Sequence, residues 1–242
     1  MCGRYSLTTP IEGVQRVFRF VERPNLPARY NIAPTQEVPT VRLGDDGARH
    51  LVFLRWGLIP FWADDPAIGN RLINARAESA PDKPAFRAAF ARRRCLVVAD
   101  GFYEWRKPAR KGERKQPYRI TLADGRPFAF AGLWERWSGR EGGDAVESCT
   151  ILTTEANALV RRLHDRMPVI LPPEAFDAWL DPASGKDATR ALLGPYPAED
   201  MAATPVSPRV NNVANDDPGV IEPVGPPERL DTAPEDAQGR LL

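Results

Sequence analysis

The chain has 242 residues, 43% of them hydrophobic and 27% charged, with a formal charge of +1, a make-up that suits a globular protein with a full core. No apolar run reaches the roughly 20 residues of a membrane helix, and the first twenty residues lack the apolar stretch and cleavage site of a signal peptide. Three cysteines and two histidines, in no CxxC or HxxxH spacing, give neither a disulfide framework nor a zinc site. These exclusions predict a cytoplasmic protein that needs no metal and no cofactor. The near-zero charge hides a split. Residues 1–120 hold 22 Lys or Arg against 12 Asp or Glu, and residues 121–242 hold 11 against 20, which implies a basic surface for an anion, nucleic acid foremost.

The chain opens MCGRY. The small residue at position two predicts removal of Met1 by methionine aminopeptidase, leaving Cys2 as the mature terminus. Its free α-amine and thiol would then form a 1,2-aminothiol, which no internal cysteine can offer. Both groups titrate just above neutrality, at about 7.7–8.0 and about 8.5, so a nearby base could bring either into its nucleophilic form. Thr9-Pro10-Ile11-Glu12 reads as a helix start, with Thr9 as N-cap, Pro10 at the first position and Glu12 closing a capping box. Apolar residues then recur at helical spacing to about Phe20, and the prolines of RPNLPARYNIAPTQ mark an extended connection.

Short β-rich runs follow at VPTVRL (38–43), HLVFLRW (50–56), CLVVADGFYEW (95–105), PYRITL (117–122), PFAFAGLW (127–134) and SCTILTT (148–154). Helices are predicted for 83–93, 155–163, 172–180 and 187–193. Strands outnumber helices and short turns join most of them. The fold class predicted is therefore α+β, a single domain with a curled, mainly antiparallel sheet or barrel-like core and peripheral helices. Residues 106–115, RKPARKGERK, read as a solvated hairpin loop. From Pro218 the sequence turns Pro-rich and acidic, so the domain is expected to span 1–217 and a disordered tail 218–242.

Five stretches carry candidate chemistry. Beside Cys2, Arg4 offers a cation for an anion. In WGLIPFW (56–62), Pro60 and Trp62 are candidates for an exposed wedge or stacking platform for nucleobases, against the reading of a core strand and turn. NARAES (74–79) would put Asn74, Arg76 and Glu78 on one face if extended, and an amide beside a guanidinium suits a sugar–phosphate. In DGFYEW (100–105), Asp100, Phe102 and Glu104 would face one way, Tyr103 and Trp105 the other. An acid among aromatic rings loses hydration, so Glu104 becomes a candidate proton carrier near neutrality. LHDRMP (163–168) holds His164 between a helical segment and Asp165-Arg166, which could set its tautomer and bind phosphate; His50 reads as structural.

These stretches, in this order, resemble the SOS-response-associated peptidase (SRAP) family of abasic-site processing proteins. The resemblance runs through MCGRY, YNIAPTQ, WGLIPFW, IGNRLINARAES, RRCLVVADGFYEW, FAGLWERW, TILTTEAN and LHDRMPVIL, over roughly residues 2–215. Ser79 and Val98 depart from the family's more frequent threonine and proline, and neither carries chemistry. The resemblance implies covalent capture of abasic sites in single-stranded DNA by the terminal Cys2 through a Schiff base that closes to a thiazolidine. It further implies Glu104 as acid/base, His164 as stabiliser of the opened sugar and proton shuttle, and Asn74 as the group holding amine and sugar. Arg4, Arg76 and Arg166 would take flanking phosphates, with Pro60 and Trp62 at the kinked strand. It also implies a monomer, nucleoid-associated when on DNA, with a weak lyase activity and a peptidase step limited to Met1. Two other readings remain: an N-terminal-nucleophile amidohydrolase of the class-II glutamine amidotransferase kind, and a non-enzymatic single-strand DNA-binding module.

Overall fold

The computed structural model describes residues 2–108, 110, 114–139 and 144–230; Met1, and with it the expected removal step, lies outside them. In chain order the strands and helices are β1 (Tyr5–Leu7), α1 (Ile11–Phe18), β2 (Arg29–Ile32), β3 (Glu37–Leu43), β4 (Arg49–Trp56), β5 (Asn74–Arg76), α2 (Arg87–Arg92), β6 (Arg94–Ala99), β7 (Gly101–Arg106), β8 (Gln116–Leu122), β9 (Phe128–Trp137), β10 (Val146–Glu155), β11 (Arg166–Pro168), β12 (Ile170–Leu171), α3 (Phe176–Leu180), α4 (Lys186–Ala191) and β13 (Met201–Pro205). The predicted strands are all present, within a few residues of their expected ends. The α+β class holds, with mainly antiparallel sheets and few helices.

Five strands close a ring. β10 pairs with β4, β4 with β3, β3 with β6, β6 with β9 and β9 again with β10. Only the β4–β10 seam of this ring is parallel. The curled sheet of the sequence reading is thus a barrel, and closure removes edges that would otherwise template pairing. Every residue of β6 is buried, because α2 and α3 pack on it. Buried Arg94 fastens those helices by donating to the carbonyls of Phe90, Ala91, Trp179 and Asp181. A second sheet runs β13-β8-β7-β1-β2. The run 95–105 therefore serves both sheets, broken at Asp100 into β6 and β7.

Asp100 is the knot at that break. Its carboxylate accepts from Ser6 Oγ, from the backbone N–H and hydroxyl of both Thr8 and Thr9, and from Arg119 Nη2. Thr9 therefore does not cap α1 with its side chain. The helix begins after Pro10 with no side-chain cap, the Thr9 hydroxyl being turned to Asp100 instead. Gly101 makes room, since a Cβ there would lie 2.6 Å from Arg119 Nε and 3.0 Å from Ser6 Oγ.

Two further expectations are corrected. The helical spacing of 155–163 gives only a 3-10 turn over Val160–Arg162. β10 runs on to Glu155 to pair with β11, and Ala156 N still donates to Asp165 O. Disorder from 218 does not describe residues 218–230. Val220 is buried with Tyr103, Val206 and Val210, Ala203 bridges to Glu228, and Glu228 grips Arg106 with both oxygens at 2.8 and 2.7 Å. The domain thus reaches at least Leu230, and the rest of the expected tail, 231–242, lies outside the described residues.

Burial alone would raise the Asp100 pKa, but the Arg119 charge and the bonds from Thr8 and Ser6 outweigh it and hold it below the ordinary value. Its stabilisation is then complete above about pH 4 and lost as pH falls through the folded-state value. Asp100→Asn leaves Arg119 without its buried partner and should cost about 3–5 kcal/mol in urea unfolding at pH 7. The variant should also lack that acid-sensitive component. Loss of less than about 1 kcal/mol would remove Asp100 from this role.

Candidate active site around Cys2

The site is built on the seam between β1 and β7. Tyr5 faces Phe102 and Ser6 faces Gly101, and Tyr103 N donates to Arg4 O at 3.0 Å. One more step of this register sets Gly3 opposite Glu104, so Glu104 adjoins Cys2. Strand alternation sorts Phe102, Tyr103, Glu104 and Trp105 as the sequence predicted, while Asp100, expected with Phe102 and Glu104, lies before β7 and turns to Arg119. Tyr103 OH reaches Tyr30 O and Trp105 Nε1 reaches Asn211 on one face. On the other, Phe102 meets the ring of Phe130 in the barrel interior, and Glu104 is only 4% exposed.

Asn74 arrives from β5, which pairs in parallel with β10. Its Nδ2 donates to Cys2 O at 2.7 Å. Its Oδ1 is buried and accepts no hydrogen bond among the described residues. Ala75 and Ala77 are buried while Arg76 and Glu78 are exposed, so Asn74, Arg76 and Glu78 do share a face.

His164 sits at the end of the 3-10 turn, its backbone N–H on Val160 O at 2.9 Å. Its Nδ1 meets two groups with opposite demands: the Arg166 amide at 3.0 Å, which needs a lone pair, and the Asp165 carboxylate at 2.7 Å, which needs a proton. Burial lowers the His164 pKa, and the Asp165 side chain is 86% exposed and free to turn to water. The amide therefore decides the tautomer, giving a neutral ring with its proton on Nε2. Sequence reasoning had both Asp165 and Arg166 as tautomer-setting flanks; the determinant is the Arg166 backbone.

The ionisable groups at the centre are all shifted by burial. Burial raises the Glu104 pKa, and the nearby Asp165 charge adds to it. Burial, then the Glu104 charge, pushes the Cys2 thiol far above the ordinary thiol range. In this chain, which still carries Met1, Cys2 is fully buried. The fold thus brings Cys2, Asn74, Glu104 and the His164-Asp165 turn together from four separate parts of the sequence.

The expected DNA-contacting residues are placed less uniformly. Arg76 is exposed beside Asn74. Arg166 is held by Glu78 in a two-oxygen pair at 2.6 and 2.9 Å and by Thr153 O at 2.6 Å. Arg4 is half-buried and spends Nη1 on Asn31 Oδ1 and Val210 O, both at 2.7 Å, which makes it a strut between the N-terminal strand and the 210–216 loop. Pro60 is buried, so it is not part of an exposed wedge. The exposed aromatic pair is Phe61 and Trp62, at 59% and 47%, so Phe61 joins Trp62 where Pro60 was expected. Trp56 is core, with Nε1 on Ile73 O. Among the described residues no group of three or more His, Cys, Asp or Glu could hold a metal, and no helix is long and apolar enough to cross a membrane.

The two histidines should titrate on opposite sides of the ordinary value near 6.5. His50, between Asp46 and Glu22, is raised by those carboxylates, while His164 is lowered. Histidine NMR across pH 5–8 should show His164 neutral and protonated on Nε2 at pH 7. A His164 that titrates above His50 would contradict this assignment.

Residues 1–213 match the family described as SOS response associated peptidase (SRAP). The chain is 43% identical over 226 residues to the abasic site processing protein YoqW of Bacillus subtilis (strain 168), covering 92% of this chain and 99% of that protein. It is 35% identical to YedK of Escherichia coli (strain K12), named likewise, over 93% of this chain and all of that protein. Similarity extends to HMCES of Xenopus tropicalis, at 30% identity over 90% of this chain and 77% of that one. A crystal structure of a protein from Bacteroides thetaiotaomicron superposes with a TM-score of 0.81 at 28% identity, over 92% of this chain and 99% of that chain. A buried cysteine at position two, set by β1 beside a buried acid and held by an asparagine, thus sits in a chain that belongs to the SOS response associated peptidase (SRAP) family.

Proposed function

We propose that this protein captures abasic sites in single-stranded DNA by a covalent bond to Cys2 once Met1 is removed. One observation carries the reading: the residue at position two is a cysteine whose carbonyl is fixed by Asn74 Nδ2 at 2.7 Å and whose thiol lies close enough to buried Glu104 to feel its charge. Three relatives of 30–43% identity are named abasic site processing proteins, which supplies the substrate class.

The lesion's ring-opened sugar presents an aldehyde at C1′. The Cys2 amine, with the lower ordinary pKa, attacks that carbon and forms a carbinolamine. Loss of water then leaves a protonated imine. The thiol, kept protonated by burial and by the Glu104 charge, adds to the imine carbon as its proton passes to Glu104. The carbon–sulfur bond closes a five-membered thiazolidine, and the sum is aldehyde, amine and thiol giving ring and one water. Glu104 suits both proton steps because burial lifts its pKa toward neutrality. His164, neutral, offers Nε2–H to the sugar oxygen that is freed on opening. Asn74 Oδ1 is the acceptor for the attacking amine. Arg76 and Arg166 serve the flanking phosphates, Arg166 by exchanging Glu78 for phosphate, and Trp62 with Phe61 stacks on a displaced base. Arg4 acts mainly as the strut described above. The same imine can lose the 3′ phosphate by β-elimination, so a slow lyase side reaction belongs to this scheme. The protein works as a monomer.

A denaturing gel with a single-stranded oligonucleotide carrying one abasic site should show a heat-stable slow band with wild-type protein and none with Cys2→Ala. Glu104→Gln should form the same band about 10²–10⁴-fold more slowly, with DNA affinity within about twofold of wild type. An undiminished band from Cys2→Ala refutes the thiazolidine, and an unchanged rate in Glu104→Gln removes its proton role.

A further inference from the structure

We propose that a groove running from His164 past Arg162 and Arg161 carries the sugar–phosphate backbone of the single strand on one side of the lesion. This deepens the Cys2 reading and rests on it.

Two concavities meet along this path. One, of about 430 Å³, lies beside His164 and is lined in part by Arg106, Lys107, Arg161 and Arg162. The other, of about 550 Å³, continues past Asn157 and Pro195 and shares Arg161 and Arg162 with the first. The adjacent Arg161 and Arg162 thus stand where the two concavities adjoin and face both. The 3-10 turn Val160–Arg162 puts them there. Val160 and Leu163 are buried, so they pin the turn from below and leave Arg161 and Arg162 exposed.

The charges of the groove are not equally available. Arg106 is fixed by both oxygens of Glu228 and by Tyr118, so it is neutralised. Arg161 donates to Ala156 O at 2.9 Å and lies 3.8 Å from Glu155, with both side chains largely exposed, a loose pair that a phosphate can displace. Arg162 and Lys107 form no ion pair among the described residues. Glu155 and Asp165 are the acids lining the groove, and Asp165 leans on His164 Nδ1 at 2.7 Å. Arg161, Arg162 and Lys107 against Glu155 and Asp165 leave an excess of positive charge, and the near end of the groove is the side chain that would meet the opened sugar. A strand whose abasic sugar sits at Cys2 must leave the site on two sides, and this channel supplies phosphate partners for one of them. Helical spacing in 155–163 concealed the feature, because a regular helix would have spread these arginines over its faces.

The test uses oligonucleotides with a tetrahydrofuran abasic analogue, which has no aldehyde and binds only non-covalently. One probe carries it at the 5′ end and the other at the 3′ end, so each extends to one side only. Wild type and Arg161→Ala/Arg162→Ala are titrated by anisotropy at several salt concentrations. The double variant should lose about 1.4 from the slope of log K against log salt, about 0.7 per lost phosphate contact, on one probe, and keep the wild-type slope on the other. Arg161→Lys/Arg162→Lys should restore it. No change on either probe, or equal loss on both, overturns the groove. Wild-type protein mixed with an aldehyde-bearing oligonucleotide scores the parent reading separately. Absence of any adduct there refutes capture by Cys2, whereas an adduct together with an unaffected double variant refutes the groove alone.

Discussion

The antiparallel seam between β1 and β7 is the constraint on which the site depends. β1 is three residues long, too short to hold a terminus by ladder bonds alone. It is held from below by Asp100, which gathers Ser6, Thr8 and Thr9, and from the side by Asn31. That amide donates to the carbonyls of Val210, Asn212 and Asn215 and accepts from Arg4. Asp216 in turn takes the backbone N–H groups of Tyr30 and Asn31. These bonds convert a chain end, ordinarily among the loosest parts of a fold, into a fixed strand. Because Asp100 begins the same segment that carries Glu104, the anchor of Cys2 and its acid belong to one piece of backbone.

Burial has opposite uses at the three ionisable groups. It raises Glu104 and the Cys2 thiol and lowers His164, so every group is driven toward its uncharged form. Such a centre suits a reaction in which protons move between neighbours and the charges formed are brief. Charge is kept instead at the margin, on exposed Arg76, on the Glu78–Arg166 pair and on exposed Arg161 and Arg162.

Much of this was legible in the sequence where local pattern decides. Runs of β-branched and aromatic residues gave the strands, and period-two alternation gave the two faces of FYEW and NARAES. What depends on distant partners was not legible. Nothing near Asp100 announces Thr8 or Arg119, and nothing in SCTILTT announces that the parallel seam with β4 closes a barrel. Thr9 reads as a cap until a buried carboxylate claims it. Residues 155–163 read as a helix until β11 extends β10 through them. Composition marked 218–230 as disordered, yet Val220 and Glu228 find a buried niche and an arginine that no composition reveals. Pro60 and Arg4 were assigned to DNA from their residue types, while their burial and hydrogen bonds give them structural work.

The central claim is that the reactive group is the aminothiol of a terminal cysteine. Peptide mass spectrometry of a digested adduct, formed without any reducing agent, tests it most directly. The account predicts that the modified peptide begins at Cys2, lacks Met1, and carries the abasic sugar with the loss of one water. An adduct on a lysine, or one that survives only after chemical reduction of an imine, would contradict it.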